Sequence, residues 1–231
     1  MSTTTENHDD LCVASVPLFQ GLTRRQQEHV ASLASPTRVS RNEMLYTAGS
    51  DISQLMVVHE GRLKISRVGA DGHEQIRRII GPGDFVGESV FLTGARPDHN
   101  ATALEAGSMC VFHHRDVGQL ISEHPSIGLR MLQTVSIRLE ETEARLASVI
   151  SGDVSSRLVD YLMSLPARRQ PAGVEVQLPL PKKDVASLLD TTPESLSRQL
   201  RRLTDSGIIS ERRPGTVTLT DLDALIALSS H

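Results

Sequence analysis

Near the C-terminus, Glu194, Ser197 and Arg198 stand at relative positions i, i+3 and i+4, so one face of a helix would carry all three. Their chemistry suits the edges of DNA bases. An arginine can donate two hydrogen bonds to guanine O6 and N7, a glutamate accepts from cytosine N4, and a serine bonds or packs against thymine. Around them lie Lys182, Thr191, Thr192, Arg201 and Arg202, which suit phosphate oxygens that set register without reading sequence. A second set is sparse: the chain has only two cysteines, Cys12 and Cys110, and nine histidines. Two thiols exclude a disulfide scaffold, a four-cysteine zinc site within one chain and any cluster needing four thiolates from one subunit. His8 precedes Cys12 by four residues, and His113 and His114 follow Cys110. A mixed Cys/His site for a metal, or a haem ligand, is conceivable there, although none of these spacings is a metal signature.

The elements that must hold the base-reading trio follow from local signals. Residues 182–189 form a short helix, Asp190-Thr191-Thr192 a turn, and residues 193–206 a second helix, with Thr192 as cap, Pro193 in the first turn and Gly207 as stop. Residues 208–213 and 216–220 flank Pro214-Gly215 as a hairpin, and a last helix covers 221–228. Two helices across a tight turn followed by a hairpin is the winged helix-turn-helix plan, whose second helix enters the major groove. Upstream, an amphipathic helix over 154–165 turns Leu158, Tyr161, Leu162 and Leu165 inward, a polar loop runs from Pro166 to Gly173, and a short strand spans 174–180. Charge agrees with this placement. Residues 1–151 carry 14 basic and 18 acidic side chains and residues 152–231 ten of each, so the net acidity lies outside the proposed DNA reader.

From 118 to 150 the period is helical. Leu132, Val135, Leu139, Thr142, Leu146 and Val149 recur at steps of 3, 4, 3, 4 and 3 residues, flanked by charges, which is the narrow seam of a parallel helix pair and predicts a homodimer. Ser151-Gly152-Asp153 reads as a hinge. Before it, residues 37–112 hold short β-branched or alternating runs at 44–46, 54–58, 63–68, 75–80 and 108–112. Turn signals at Gly49, Gly61, Gly69, Asp71-Gly72 and Gly81-Pro82-Gly83-Asp84 punctuate them, as in an antiparallel roll or sandwich. A small helix over 24–34 precedes the roll. The expected organisation is α+β: a polar tail at 1–14, a β-roll sensor at 15–117, a dimerisation helix at 118–151 and a winged helix-turn-helix at 152–231. The polar, acidic start carries no signal peptide, and no run of roughly eighteen apolar residues exists, so a cytoplasmic location without membrane insertion is expected.

Together, Gly83-Asp84-Phe85-Val86-Gly87-Glu88, the long helix and Glu194-Ser195-Leu196-Ser197-Arg198 resemble the family of the cyclic-AMP receptor protein and FNR, over nearly the whole chain. The resemblance implies a cyclic-nucleotide-binding-like β-roll and a homodimer that regulates transcription through RNA polymerase. The Glu-x-x-Ser-Arg form is similar to the FNR branch and implies a TTGAT half-site paired with an inverted ATCAA. Nucleotide-binding members follow Gly-Glu with an Arg-Ser pair that grips phosphate. Here Gly87 and Glu88 match, but the later positions read His99 and Asn100, with Arg96 nearby and Thr142 where relatives touch the base across the seam. The FNR iron–sulfur cluster needs several N-terminal cysteines, and only Cys12 is present, which argues against it. Cys12 and Cys110 resemble the two-cysteine, FLP-type members and imply a thiol–disulfide switch. A cyclic nucleotide, haem or another small ligand is the alternative signal, the family including haem-dependent nitric oxide sensors. The remaining classes fit less well. A cupin-like metalloenzyme needs inward histidines, whereas His59, His73 and His99 sit beside turn signals, and no nucleophile motif or P-loop occurs. A nucleotide-binding regulatory subunit acting on another protein would not need Glu194, Ser197 and Arg198.

Overall fold

The computed structural model describes residues 13, 16–70, 72–151, 154–170 and 173–229. Two compact units divide it, residues 1–137 and 138–231.

The first unit opens with a 3-10 turn at Pro17–Phe19 and helix α1 (Arg24–Leu33), which Thr23 and Gln26 cap reciprocally. Two four-stranded antiparallel sheets follow. One has the order β1 (Ser35–Val39), β8 (Gly107–His113), β3 (Gln54–Glu60), β6 (Phe85–Val86); the other has β2 (Met44–Tyr46), β7 (Asn100–Ala103), β4 (Leu63–Val68), β5 (Glu74–Ile80). Strand β3 explains how the layers stack. Leu55 and Val57 share a core with Val30, Phe112, Leu120 and Ile127 on the helical side, while Met56 and Val58 pack with Leu63, Ile65, Ile80 and Met109 of the roll interior. Side chains alternate faces along a strand, so a strand between two apolar layers reads as an unbroken apolar run. Between β6 and β7 lies a short helix, α2 (Glu88–Thr93), entered through Gly87 at φ 93°. A Cβ there would stand 2.2 Å from the Gln54 carbonyl oxygen, so only glycine lets this loop pass β3.

Several elements differ from the sequence expectation. Strand β1 holds Pro36 and is exposed over its first four residues, as suits an edge strand, and nothing in that composition signals pairing. Strand β7 is built on Ala101 and Ala103, both fully buried, where small residues rather than β-branched ones fit. The single helix expected from 118 is two: α3 (His114–Glu123) and α4 (Pro125–Ser151). Pro125 cannot carry a helix through, but is favoured at the start of one, and so makes the break.

In the second unit, α5 (Val154–Ser164) buries Leu158, Val159 and Leu162. The expected polar loop after Pro166 contains strand β9 (Ala167–Gln170), fully exposed and paired with β10 (Gly173–Gln177), Arg168 opposite Glu175. A polar edge strand of this kind carries no hydrophobic alternation to reveal it, and its cross-strand partner supplies the ladder instead. Then come α6 (Lys182–Leu188), α7 (Pro193–Asp205), β11 (Ile209–Arg213), β12 (Thr216–Leu219) and α8 (Leu222–Leu228), with the four strands ordered β11-β12-β10-β9. The hairpin is therefore the outer half of a sheet. Gly152 and Asp153 of the expected hinge lie outside the described residues.

Candidate nucleic-acid interface

Helix α7 carries the three residues expected to read bases. Thr192, extended at φ −88°, accepts a hydrogen bond from the Ser195 amide at 3.2 Å, which satisfies one of the free N–H groups at the helix start. Leu196, Leu200 and Leu203 are buried on one side, and Glu194, Ser197, Arg198, Arg201 and Arg202 are exposed. The three leucines, at i, i+4 and i+7, fix the rotation of the helix about its axis and so decide which residues face outward. The Ser197 hydroxyl donates to the Pro193 carbonyl at 2.7 Å and keeps its lone pairs for another donor. Glu194 is held below the usual carboxylate range by its own backbone N–H, then by Thr192, with a coulombic contribution from Arg198 one turn on. It therefore stays an anion, and an acceptor, through the neutral range.

The expected phosphate contacts are distributed around this face. Thr191 is half-buried and Thr192 exposed, both in the turn before α7. Lys182, at the start of α6, is engaged with Glu211 of β11 at 2.9 Å, an ion pair that ties the first helix to the wing. No spacing rule could have revealed that link, because its partners are 29 residues apart in different elements.

The expected effector residues make the following contacts in the roll and on α4. Arg96 is exposed and donates to the Gly49 carbonyl at 3.3 Å, with Asp51 at 3.8 Å. Asn100 accepts from the Ala48 amide at 2.8 Å, so both hold the loop that follows β2. His99 lies between the Tyr46 hydroxyl at 2.9 Å and the Asp98 carboxylate at 3.2 Å, and Arg77 grips the same carboxylate at 2.9 and 3.0 Å. The His99 hydrogen bond, ahead of Arg77, draws Asp98 below the ordinary carboxylate range. Tyr46, Arg77 and Asp98 have no motif of their own, and only the partnership with His99 brings them out. Glu88 lies 3.9 Å from Arg78, and the Thr142 hydroxyl donates to the Arg138 carbonyl of its own helix at 2.7 Å.

Cys110, 1% exposed on β8, is disulfide-bonded; Cys12 and His8 lie outside the described residues. Among the described residues no group of three His, Cys, Asp or Glu side chains could hold a metal ion. The His114 ring packs tilted against Phe91, at 52° with centroids 5.5 Å apart. On α4, Leu132, Leu139, Leu146 and Val149 are exposed and Val135 is half-buried, and Leu129 and Ile137 add to the exposed apolar surface. No helix among the described residues is long and apolar enough to cross a membrane.

Comparison with known proteins matches residues 36–124 to the cyclic nucleotide-binding domain and residues 156–228 to the Crp-like helix-turn-helix domain. The chain is 31% identical over 199 residues to the probable transcriptional regulator flp of Lacticaseibacillus casei, covering 86% of this chain and 89% of that one. It is 25% identical over 196 residues to the fumarate and nitrate reduction regulatory protein of Salmonella typhimurium, covering 84% and 78%. A solved structure of a CooA mutant from Carboxydothermus hydrogenoformans shares the fold at a TM-score of 0.77 and 21% identity, covering 87% of this chain and 90% of that one.

Proposed function

We infer, because the chain belongs to the Crp/Fnr family of transcriptional regulators, that it reads a TTGAT/ATCAA palindrome as a homodimer under the control of a signal received in the β-roll. The family is one of DNA-binding regulators rather than enzymes, and the chain is such a regulator. The observation that carries the finer reading is the exposed face of α7, where Glu194, Ser197 and Arg198 stand together over a buried leucine stripe. The exposed leucines of α4 support pairing through that helix. A dimer places two recognition helices about one DNA turn apart, which is why a palindrome is the expected target. Such a regulator works in the cytoplasm on chromosomal DNA and acts through RNA polymerase.

The signal we propose is redox. Cys110 is disulfide-bonded, and Val13, beside Cys12 in sequence, is fully buried in the core that contains Cys110. Pairing Cys12 with Cys110 forms one S–S bond while two electrons and two protons leave the thiols for an oxidant. A second reading, the same regulator governed by a cyclic nucleotide, haem or another small ligand, rests on the cyclic nucleotide-binding domain match over 36–124.

The test is fluorescence anisotropy on the palindrome and on a scrambled duplex at fixed salt, first with reductant and then with a mild thiol oxidant. Specific binding that changes with redox state, together with a Cys12–Cys110 peptide in non-reducing mapping, is the expected result. Specific binding indifferent to redox transfers the signal to a ligand. Equal binding to both duplexes overturns the target.

A further inference from the structure

Between α6 and α7 the backbone turns through Asp190, which is left-handed at φ 50°. Glycine takes this conformation with less strain, and aspartate tolerates it best when its side chain bonds the local backbone. Here the carboxylate also reaches another helix. Its Oδ2 accepts from Arg145 of α4, at 3.2 Å from Nε and 2.9 Å from Nη2, and the two side chains are only 29% and 20% exposed. One residue earlier, the Leu189 carbonyl accepts from Arg157 Nε of α5 at 3.0 Å. The turn that orients α7 is thus gripped by one guanidinium from the dimer helix and one from α5.

The surroundings give the first contact more weight than a surface pair has. A groove of about 440 Å³ opens between these elements, lined by Ala144, Arg145, Arg157, Tyr161 and Leu189 among others. The ion pair spans this groove as a strut. Arg145 also immediately precedes Leu146, an exposed residue of the proposed pairing stripe, so a single residue step connects that stripe to the helix-turn-helix.

We propose that the Arg145–Asp190 ion pair is a positioning device that fixes the DNA-reading turn to the dimer helix and thereby sets the half-site spacing two copies accept. This rests on the DNA-binding reading above. Lengthening or shortening the spacer by one base pair moves a half-site by about 3.4 Å and turns it by about 35°, so a rigid link discriminates between spacers and a loose one does not. Base recognition within each half-site belongs to α7 and is independent of the pair.

The experiment measures binding of the full-length protein to palindromes with the cognate spacer and with one base pair more or fewer, plus a duplex substituted at the half-site guanine. Asp190→Gly keeps a backbone suited to φ 50°, and Arg145→Gln keeps most of the side-chain volume. Both should lower the spacer preference about tenfold while leaving the guanine preference as in the wild type. The double variant should be no worse than either single one, as expected of a shared contact, and Arg145→Lys should restore part of the preference. Hydrogen exchange without DNA gives the second readout: the amides of residues 190–195 should exchange faster in both single variants, and those of the wing should not. Unchanged spacer preference, a parallel loss of guanine preference, or unchanged exchange in the turn overturns the proposal. If the wild type itself ignores the palindrome, the DNA-binding reading fails and the spacing role with it, whereas faster exchange in the variants would show that the strut alone survives.

Discussion

At the scale of single residues, Arg198 and Glu194 put opposite charges on the exposed side of α7. Arg198 is exposed and lies one turn beyond Glu194, whose carboxylate stays ionised at neutral pH. Arg198→Ala is expected to cost about 1–3 kcal/mol on the cognate palindrome and to flatten the preference at the guanine. Anisotropy on matched and guanine-substituted duplexes checks this, and equal losses on both would make Arg198 a phosphate contact. Asp98 makes a different prediction. His99 and then Arg77 depress its carboxyl in the folded chain, so its contribution is present above the unfolded value of about 4 and is lost as pH falls through the lower folded value. Asp98→Asn should therefore lower the melting temperature at pH 6–7 and leave it unchanged near pH 2. Because Asp98 is largely exposed, the effect amounts to about 1 kcal/mol or less. Glu194, Ser197 and Arg198 were legible in the sequence because side-chain type and helical spacing coincide there. The Tyr46–His99–Asp98–Arg77 chain was not, because it joins two strands and a loop and leaves no periodic trace.

At the scale of elements, what could be read followed from how much local chemistry each one contains. Helix α7 announces itself through Thr192-Pro193 at its start and Gly207 beyond its end, and β3 through its apolar run. Strands β1, β7 and β9 carry a proline, two alanines and two arginines, and they exist because a neighbouring strand completes their ladders. That partner is a tertiary fact, absent from any local window. The Thr192 cap allows a direct test. Thr192→Ala should destabilise the C-terminal unit by about 1 kcal/mol, measured by denaturant titration, and Thr192→Ser should retain most of the stability. On α4 the exposed seam makes a stronger prediction. Leu139→Asp, which places a charge at its centre, should convert a dimer to a monomer in analytical ultracentrifugation while leaving the helical circular dichroism signal nearly intact.

At the scale of the whole molecule, the β-roll proposed to receive the signal and the helix-turn-helix fall in separate compact units, residues 1–137 and 138–231, and α4 contributes residues to both. The boundary cuts within the long helix rather than at its end. The first half of that helix supplies Ile127 and Met131 to the core of the roll, and the second half supplies Arg145 to the helix-turn-helix turn. Periodicity marked the stripe proposed for pairing, but it could not show that the helix gives residues to the roll core in its first half and to the helix-turn-helix turn in its second.

The outward leucines of α4 also have a consequence for dosage. Under the pairing proposed here, single chains read one half-site and only pairs read a full one. While the protein is scarce relative to its own pairing constant, occupancy of the palindrome rises with the square of its concentration. Doubling synthesis would then raise occupancy of an unsaturated site nearly fourfold, and a substitution at Leu132 or Leu146 that weakened pairing would raise the expression level at which its genes respond, with no change in how any base is read.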